Sequence, residues 1–248
     1  MNLYGLIGYP LGHSFSKQYF TEKFVKENLV NCHFESFPIE SIDQLPDLLD
    51  DNKNLKGLSV TIPYKESVLK YVDELSKEVE FIGASNSIKI KNQRLIAYNT
   101  DIIGFERSFV KMLKPQHTKA LILGTGGASK AVQYVFKKLG ISYLIVTRNI
   151  DLKSEEINYE NIDALIMQEY FIIVNASPVG TYPNQDFSPQ IPYQLLTSKH
   201  YLFDLVYKPE KTLFLKKGEA QGAQIKNGFE MLLIQAAASW QIWNEDGI

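Results

Sequence analysis

Five short segments of the chain carry side chains that do chemistry. In Ser59-Val60-Thr61-Ile62-Pro63-Tyr64-Lys65 a strand ends in a hydroxyl and a proline, and a lysine then opens a stretch with helical spacing, Lys65 to Val72. A lysine ammonium can hand a proton to a forming alkoxide, and the amine can take one back. At a helix amino terminus that cation opposes the macrodipole at a cost of about 0.3–1 kcal/mol, which invites a functional reading, although an exposed lysine there costs little. Gly12-His13-Ser14-Phe15-Ser16 offers two hydroxyls beside the free amides of a helix start, an arrangement that holds a carboxylate or simply caps the helix. Gly83-Ala84-Ser85-Asn86-Ser87 precedes a strand, and Tyr98-Asn99-Thr100-Asp101 follows it. Singly, Asn86 reads as a turn former and Asp101 as the cap of a helix from Ile102 to Leu113. Neither role predicts their joint occurrence beside a glycine loop.

That loop is Gly124-Thr125-Gly126-Gly127-Ala128. Ala120 to Leu123 enters it as a strand, and a helix-like run from Ser129 to Leu139 leaves it. Glycines let the backbone approach a pyrophosphate without Cβ clashes, and the free amides at the helix start bind the anion. Ser129 stands at the third small position of the usual pattern, so a tight turn without a ligand stays open. The next strand ends Val146-Thr147-Arg148-Asn149, where NAD sites carry an acid about 20 residues after the first glycine. No acid is there. Arg148 can pair with a 2′-phosphate as a planar, permanently charged fork, which favours NADP, while Asp151 keeps NAD in play.

These residues need a scaffold. Apolar blocks at Leu3 to Gly8, His33 to Ile39, Leu58 to Ile62, Leu121 to Gly124, Leu144 to Thr147, Phe171 to Asn175 and Tyr201 to Val206 read as buried strands. Helical spacing runs over Ser16 to Leu29, Lys65 to Val72, Asp101 to Leu113, Ala128 to Leu139 and Glu230 to Trp243. The alternation predicts an α/β architecture of parallel sheets covered by helices, because parallel connections need crossovers. With 248 residues, 45% of them hydrophobic, two domains are expected, the second starting near Lys119 after the break at Lys114-Pro115-Gln116.

Composition narrows the partners. A net charge of -2 provides no field for nucleic acid or an anionic membrane, so small molecules are expected. Cys32 is the single cysteine, which excludes an intrachain disulfide and suits a reducing compartment. Met1 to Pro10 shows no basic leader, and no apolar run reaches about 18 residues, so a cytoplasmic protein is expected. His13, His33, His117 and His200 lack metal-ligand spacing, and no metal is expected.

Taken in order, these segments resemble the shikimate dehydrogenase family. Also part of the match are Asn99 to Gly104, Asn175-Ala176-Ser177-Pro178-Val179-Gly180, Asp204 to Pro209, and Gly228 to Leu232 with Gln235. The resemblance implies a substrate-binding domain of 1–101 plus about 226–248, and a Rossmann-type, doubly wound dinucleotide domain of about 102–225. It implies Lys65 and Asp101 as the catalytic pair. Ser14, Ser16 and Tyr207 would hold a carboxylate, and Thr61, Asn86 and Gln235 ring hydroxyls. Gly126, Gly127, Ala128 and Arg148 would hold the cofactor phosphates, with Leu205 and Gly228 near the nicotinamide and Gly124 and Thr147 also among the cofactor-binding residues. The implied activity is reversible, NADPH-dependent reduction of 3-dehydroshikimate to shikimate on the route to chorismate and the aromatic amino acids, by a monomer or homodimer. The alternatives are an NAD-dependent enzyme acting on quinate as well, and a nonenzymatic ligand sensor. Two departures from the family pattern are Ser59, where asparagine is usual, and Thr147-Arg148-Asn149 in place of Asn-Arg-Thr.

Overall fold

The computed structural model describes residues 1–12 and 15–245 and divides into two compact units, Met1–Thr100 with the stretch from Gln235 onward, and Asp101–Ile234. Among the described residues no helix is long and apolar enough to cross a membrane.

The first unit runs β1 (Asn2–Ile7), α1 (Phe15–Lys26), β2 (Cys32–Phe37), α2 (Leu45–Asp51), β3 (Leu55–Val60), β4 (Glu74–Leu75), α3 (Lys77–Ile82), β5 (Ser87–Lys91) and β6 (Arg94–Tyr98). Its sheet has the order β2-β1-β3-β5-β6-β4. The strand–helix alternation predicts parallel pairing, and this sheet departs from it: β1 is parallel to β2 and β3, but β5 is antiparallel to both β3 and β6. Between β5 and β6 the cause is a two-residue turn. Asn92 and Gln93 both take left-handed φ, 51° and 65°, and so close a hairpin too short for any crossover. No glycine marks that turn in the sequence.

Both faces of this sheet are covered, which is why its central strand reads as a continuous apolar run. Leu3 and Ile7 of β1 join Leu45, Leu58, Val60 and Tyr64 on one side. Tyr4 and Leu6 face the other, with Phe20, Phe24, Phe34 and Trp243. Gly57 is required by this second core: a Cβ there would lie 2.4 Å from the Trp243 ring.

The stretch from Lys65 to Val72 is not the α-helix its spacing predicts. Residues 62–66 form a turn, and a 3-10 segment, Ser67–Tyr71, follows. Val68 N–H still reaches the Tyr64 carbonyl, but Leu69 N–H bonds Glu66, and Asp73 is drawn onto β6, where its N–H donates to Leu95 and its carboxylate accepts from Leu95 N–H at 2.7 Å. Lys65 therefore sits in a turn and opposes no helix macrodipole.

The second unit begins inside α4 (Thr100–Phe109) and continues β7 (Lys119–Leu123), α5 (Gly127–Leu139), β8 (Ser142–Thr147), β9 (Glu156–Asn158), α6 (Ala164–Glu169), β10 (Ile172–Asn175), β11 (Tyr201–Asp204), α7 (Leu213–Ala220), β12 (Gln224–Lys226) and the first residues of α8 (Phe229–Asn244). Its sheet, β12-β11-β10-β7-β8-β9, is parallel at every pairing. This is the Rossmann-type, doubly wound arrangement. Leu121, Leu123, Ile173 and Leu202 pack with Met167 and Phe214 on one face. On the other, Tyr201 stacks on Phe109 at 5.2 Å and Phe203 meets Phe105 edge-on at 5.1 Å. Strand order reverses between β7 and β10, which opens a crevice at their carboxyl ends, the usual ligand site of such sheets.

Candidate active site

In the first unit the polar side chains come from four separated segments. Val60 N–H donates to the Asn86 carbonyl at 2.8 Å and Thr61 N–H to that of Ile7 at 3.0 Å, so the end of β3 is fixed beside Asn86. Ser85 N–H donates to the Lys65 carbonyl at 2.7 Å, which pins the lysine turn to the same place. A Cβ on Gly8 would lie 2.4 Å from the Thr61 methyl, so glycine is what lets Thr61 sit there. Asn86 is buried. Its Nδ2 donates to Thr100 Oγ1 at 3.0 Å and Gln235 Oε1 at 3.3 Å, and its Oδ1 accepts from Thr100 N–H at 2.7 Å. Thr100 Oγ1 also lies 3.0 Å from Ser239 Oγ. A buried cluster of amides and hydroxyls of this kind suits a ligand that carries several hydroxyl groups.

The sequence assigns no role to Thr100 or Ser239. Ser239 had one readable signal: it follows Gln235 by four residues in a mostly apolar helix, and so shares its face. Asp101, buried, is the second residue of α4. Ser16 lies in the first turn of α1. Ser14 lies outside the described residues.

In the second unit the glycine loop stands at the crevice. Gly124 has φ 118°, and a Cβ on it would meet the Ala176 and Ser177 backbone at 3.3 Å. Gly126 is the N-cap of α5, and a Cβ there would meet nothing within 4 Å, so open space faces the first amides of a 13-residue helix that begins at Gly127 and Ala128. A phosphate fits that space and charge. Thr147 ends β8 with its hydroxyl accepting from Asn149 N–H at 3.1 Å, and Arg148 between them is exposed. Leu205, Tyr207 and Gly228 also belong to this unit. Gly228 is pressed on Leu205, its Cβ position 2.2 Å from the Leu205 carbonyl oxygen, and burial pushes the Tyr207 hydroxyl pKa up.

A buried carboxylate stands beside this crevice. Asp204, at the end of β11, accepts from Asn175 Nδ2 at 2.9 Å, Val206 N–H at 3.0 Å and the Thr212 hydroxyl at 2.5 Å. Burial pushes its carboxyl up to about 7 despite the lowering by these three donors.

Residues 6–88 match the family model of the shikimate dehydrogenase substrate binding domain. Shikimate dehydrogenase (NADP+) of Methanococcus maripaludis strain S2 is 37% identical over 97% of this chain and 91% of its own. The chain belongs to the shikimate dehydrogenase family. Family members of known structure share its fold. Shikimate dehydrogenase 1 of Peptoclostridium difficile, 36% identical, superposes with a TM-score of 0.84 over 100% of this chain and 93% of that one. The Thermus thermophilus enzyme, in complex with NADP(H) and shikimate, is 29% identical with a TM-score of 0.84 over 98% and 94%.

Proposed function

We propose that the chain catalyses the reversible, NADP-dependent interconversion of shikimate and 3-dehydroshikimate, a step toward chorismate and the aromatic amino acids, and that it works in the cytoplasm as a monomer or homodimer. One observation carries most of this reading: 37% identity along 97% of the chain to an NADP-dependent shikimate dehydrogenase. In this reading the first unit binds substrate and the second the dinucleotide.

Reduction of the 3-keto group places a proton on an oxygen that gains negative charge. The Lys65 ammonium donates that proton, and in the oxidative direction its amine accepts it. Asp101 orients and tunes the lysine. Ser14, Ser16 and Tyr207 hold the carboxylate, while Thr61, Asn86 and Gln235 hold the ring hydroxyls. The Asn86–Thr100–Gln235 network fixes two of these amides before substrate arrives, which lowers the ordering cost of binding. The amides of Gly126, Gly127 and Ala128 cradle the pyrophosphate, Gly124, whose N–H donates to the Val146 carbonyl, lets the chain turn beneath it, Arg148 takes the 2′-phosphate beside Thr147, and Leu205 and Gly228 flank the nicotinamide. NADP, when bound, supplies or accepts the hydride.

The test is near-ultraviolet absorbance during incubation with shikimate or quinate, each with NADP or NAD. NADPH formation confined mainly to shikimate is the expected result. Absence of turnover in all four pairings, from folded protein, would overturn the enzyme reading, and preferential turnover of quinate with NAD would overturn the specificity.

A further inference from the structure

A carboxylate with no exposed surface is costly unless several donors converge on it. Asp204 is 0% exposed, and its described partners are an amide, a main-chain N–H and a hydroxyl. The partners come from two connections: Asn175 opens the one after β10, and Val206 and Thr212 both lie in the one between β11 and α7. Asn175 ends β10, and besides donating to Asp204 it donates to the Val179 carbonyl at 3.1 Å and accepts from Ser177 N–H at 3.1 Å and Ser177 Oγ at 2.6 Å. It thereby shapes the 176–179 loop that touches the Gly124 position. Val206 opens the segment whose carbonyl accepts from Gly228 N–H at 3.3 Å. Thr212 is the N-cap of α7, accepting from Leu215 N–H at 3.4 Å.

We propose that Asp204 is a positioning residue for the cofactor: its carboxylate ties together the loops that follow β10 and β11 and sets the seat of the nicotinamide half. This rests on the NADP reading of the second unit. Asp204 touches no cofactor in this account and acts through Leu205, Gly228 and the 176–179 loop.

The nicotinamide half is common to both dinucleotides, and that gives the test its signature. In Asp204→Ala the KM values for NADP and NAD rise together by about tenfold, the loss of roughly one charge-assisted hydrogen bond. The KM for shikimate at saturating NADP rises less than either dinucleotide KM, because of the residues proposed to hold shikimate only Tyr207 lies on these loops. Asp204→Asn keeps an acceptor oxygen for Asn175 and Val206 and recovers most of the affinity. Folded Asp204→Ala with unchanged dinucleotide KM, and a lowered melting temperature alone, would reduce Asp204 to a structural residue and overturn the proposal. Should Asp204→Ala fail to fold, Thr212→Val removes one donor to Asp204 together with the N-cap of α7. It raises both dinucleotide KM values about threefold, with Thr212→Ser at wild-type values, and wild-type KM in Thr212→Val is the contrary result. If the wild-type protein oxidises no shikimate, the functional reading fails on its own. NADPH fluorescence titration of wild type and Asp204→Ala then still decides whether Asp204 seats the dinucleotide.

Discussion

The two units solve the placement of polar groups in opposite ways. In the second, a parallel sheet delivers backbone amides and strand-end loops to one crevice, and the residues proposed for the cofactor's phosphates are close in sequence: Gly126 to Ala128 in one turn, Arg148 at the end of the next strand. In the first, a mixed sheet and a returning helix gather side chains from positions 86, 100, 235 and 239 beside the end of β3. A site built on backbone tolerates substitution of side chains except where a glycine is required. A site built on converging side chains is sensitive at each of them, because a removed partner leaves a buried polar group unsatisfied, at about 1–3 kcal/mol.

Substitutions in the two units should therefore separate by readout. The largest effect is expected in the first unit, where Lys65→Ala should lower turnover by about 10²–10⁴-fold with a smaller change in shikimate KM, measured under steady-state conditions; unchanged turnover removes Lys65 from proton transfer. Next is Arg148→Ala in the second unit. Loss of a bidentate, charged contact should raise the KM for NADP by about 10- to 100-fold and leave NAD nearly unmoved, and an equal loss for both would deny Arg148 the 2′-phosphate. Asn86→Ala should raise shikimate KM by about tenfold at constant NADP KM, the mirror image of Arg148→Ala.

The smallest effect concerns pH. His117 accepts Lys114 N–H on Nδ1 at 3.0 Å with Nε2 3.0 Å from the Lys199 carbonyl, and His200 accepts Thr197 N–H at 3.0 Å with Nε2 3.0 Å from the Met167 carbonyl. Both lie in the second unit, and burial lowers the pKa of each. A protonated Nδ1 would face a donor. Their stabilisation is complete above about pH 6.5, the value of the unfolded chain, and is lost as pH falls through the lowered folded values. Thermal melts should show the loss, and a His117→Asn, His200→Asn variant, which does not titrate there, should flatten the slope. An unchanged slope would assign the acid sensitivity elsewhere.

The same contrast explains what was legible in the sequence. The glycine loop and Arg148 could be read from local spacing, since strand, turn and helix are contiguous. Asn86 and Asp101 each had an ordinary structural role when read singly, Gln235 stood unmarked within a helical stretch, and only the ordered family resemblance joined them. The turn at Lys65 misled because Val68, Leu69 and Tyr71 recur with helical spacing, whereas the pull of Asp73 onto β6 is a tertiary contact. The Asn92-Gln93 hairpin lacks the glycine that would have announced it. Asp204 drew no separate reading within the block Tyr201 to Val206, because nothing in Tyr201-Leu202-Phe203-Asp204 reveals the three donors that converge on it.

Division of labour between the units is tested most directly by combining Asn86→Ala with Arg148→Ala and measuring kcat/KM with shikimate and NADP in the two single variants, the double and the wild type. Independent roles in substrate and cofactor recognition predict that the two losses add as free energies to within about 0.5 kcal/mol. A double variant no worse than the poorer single one would contradict the account, for it would mean that both residues serve one and the same interaction.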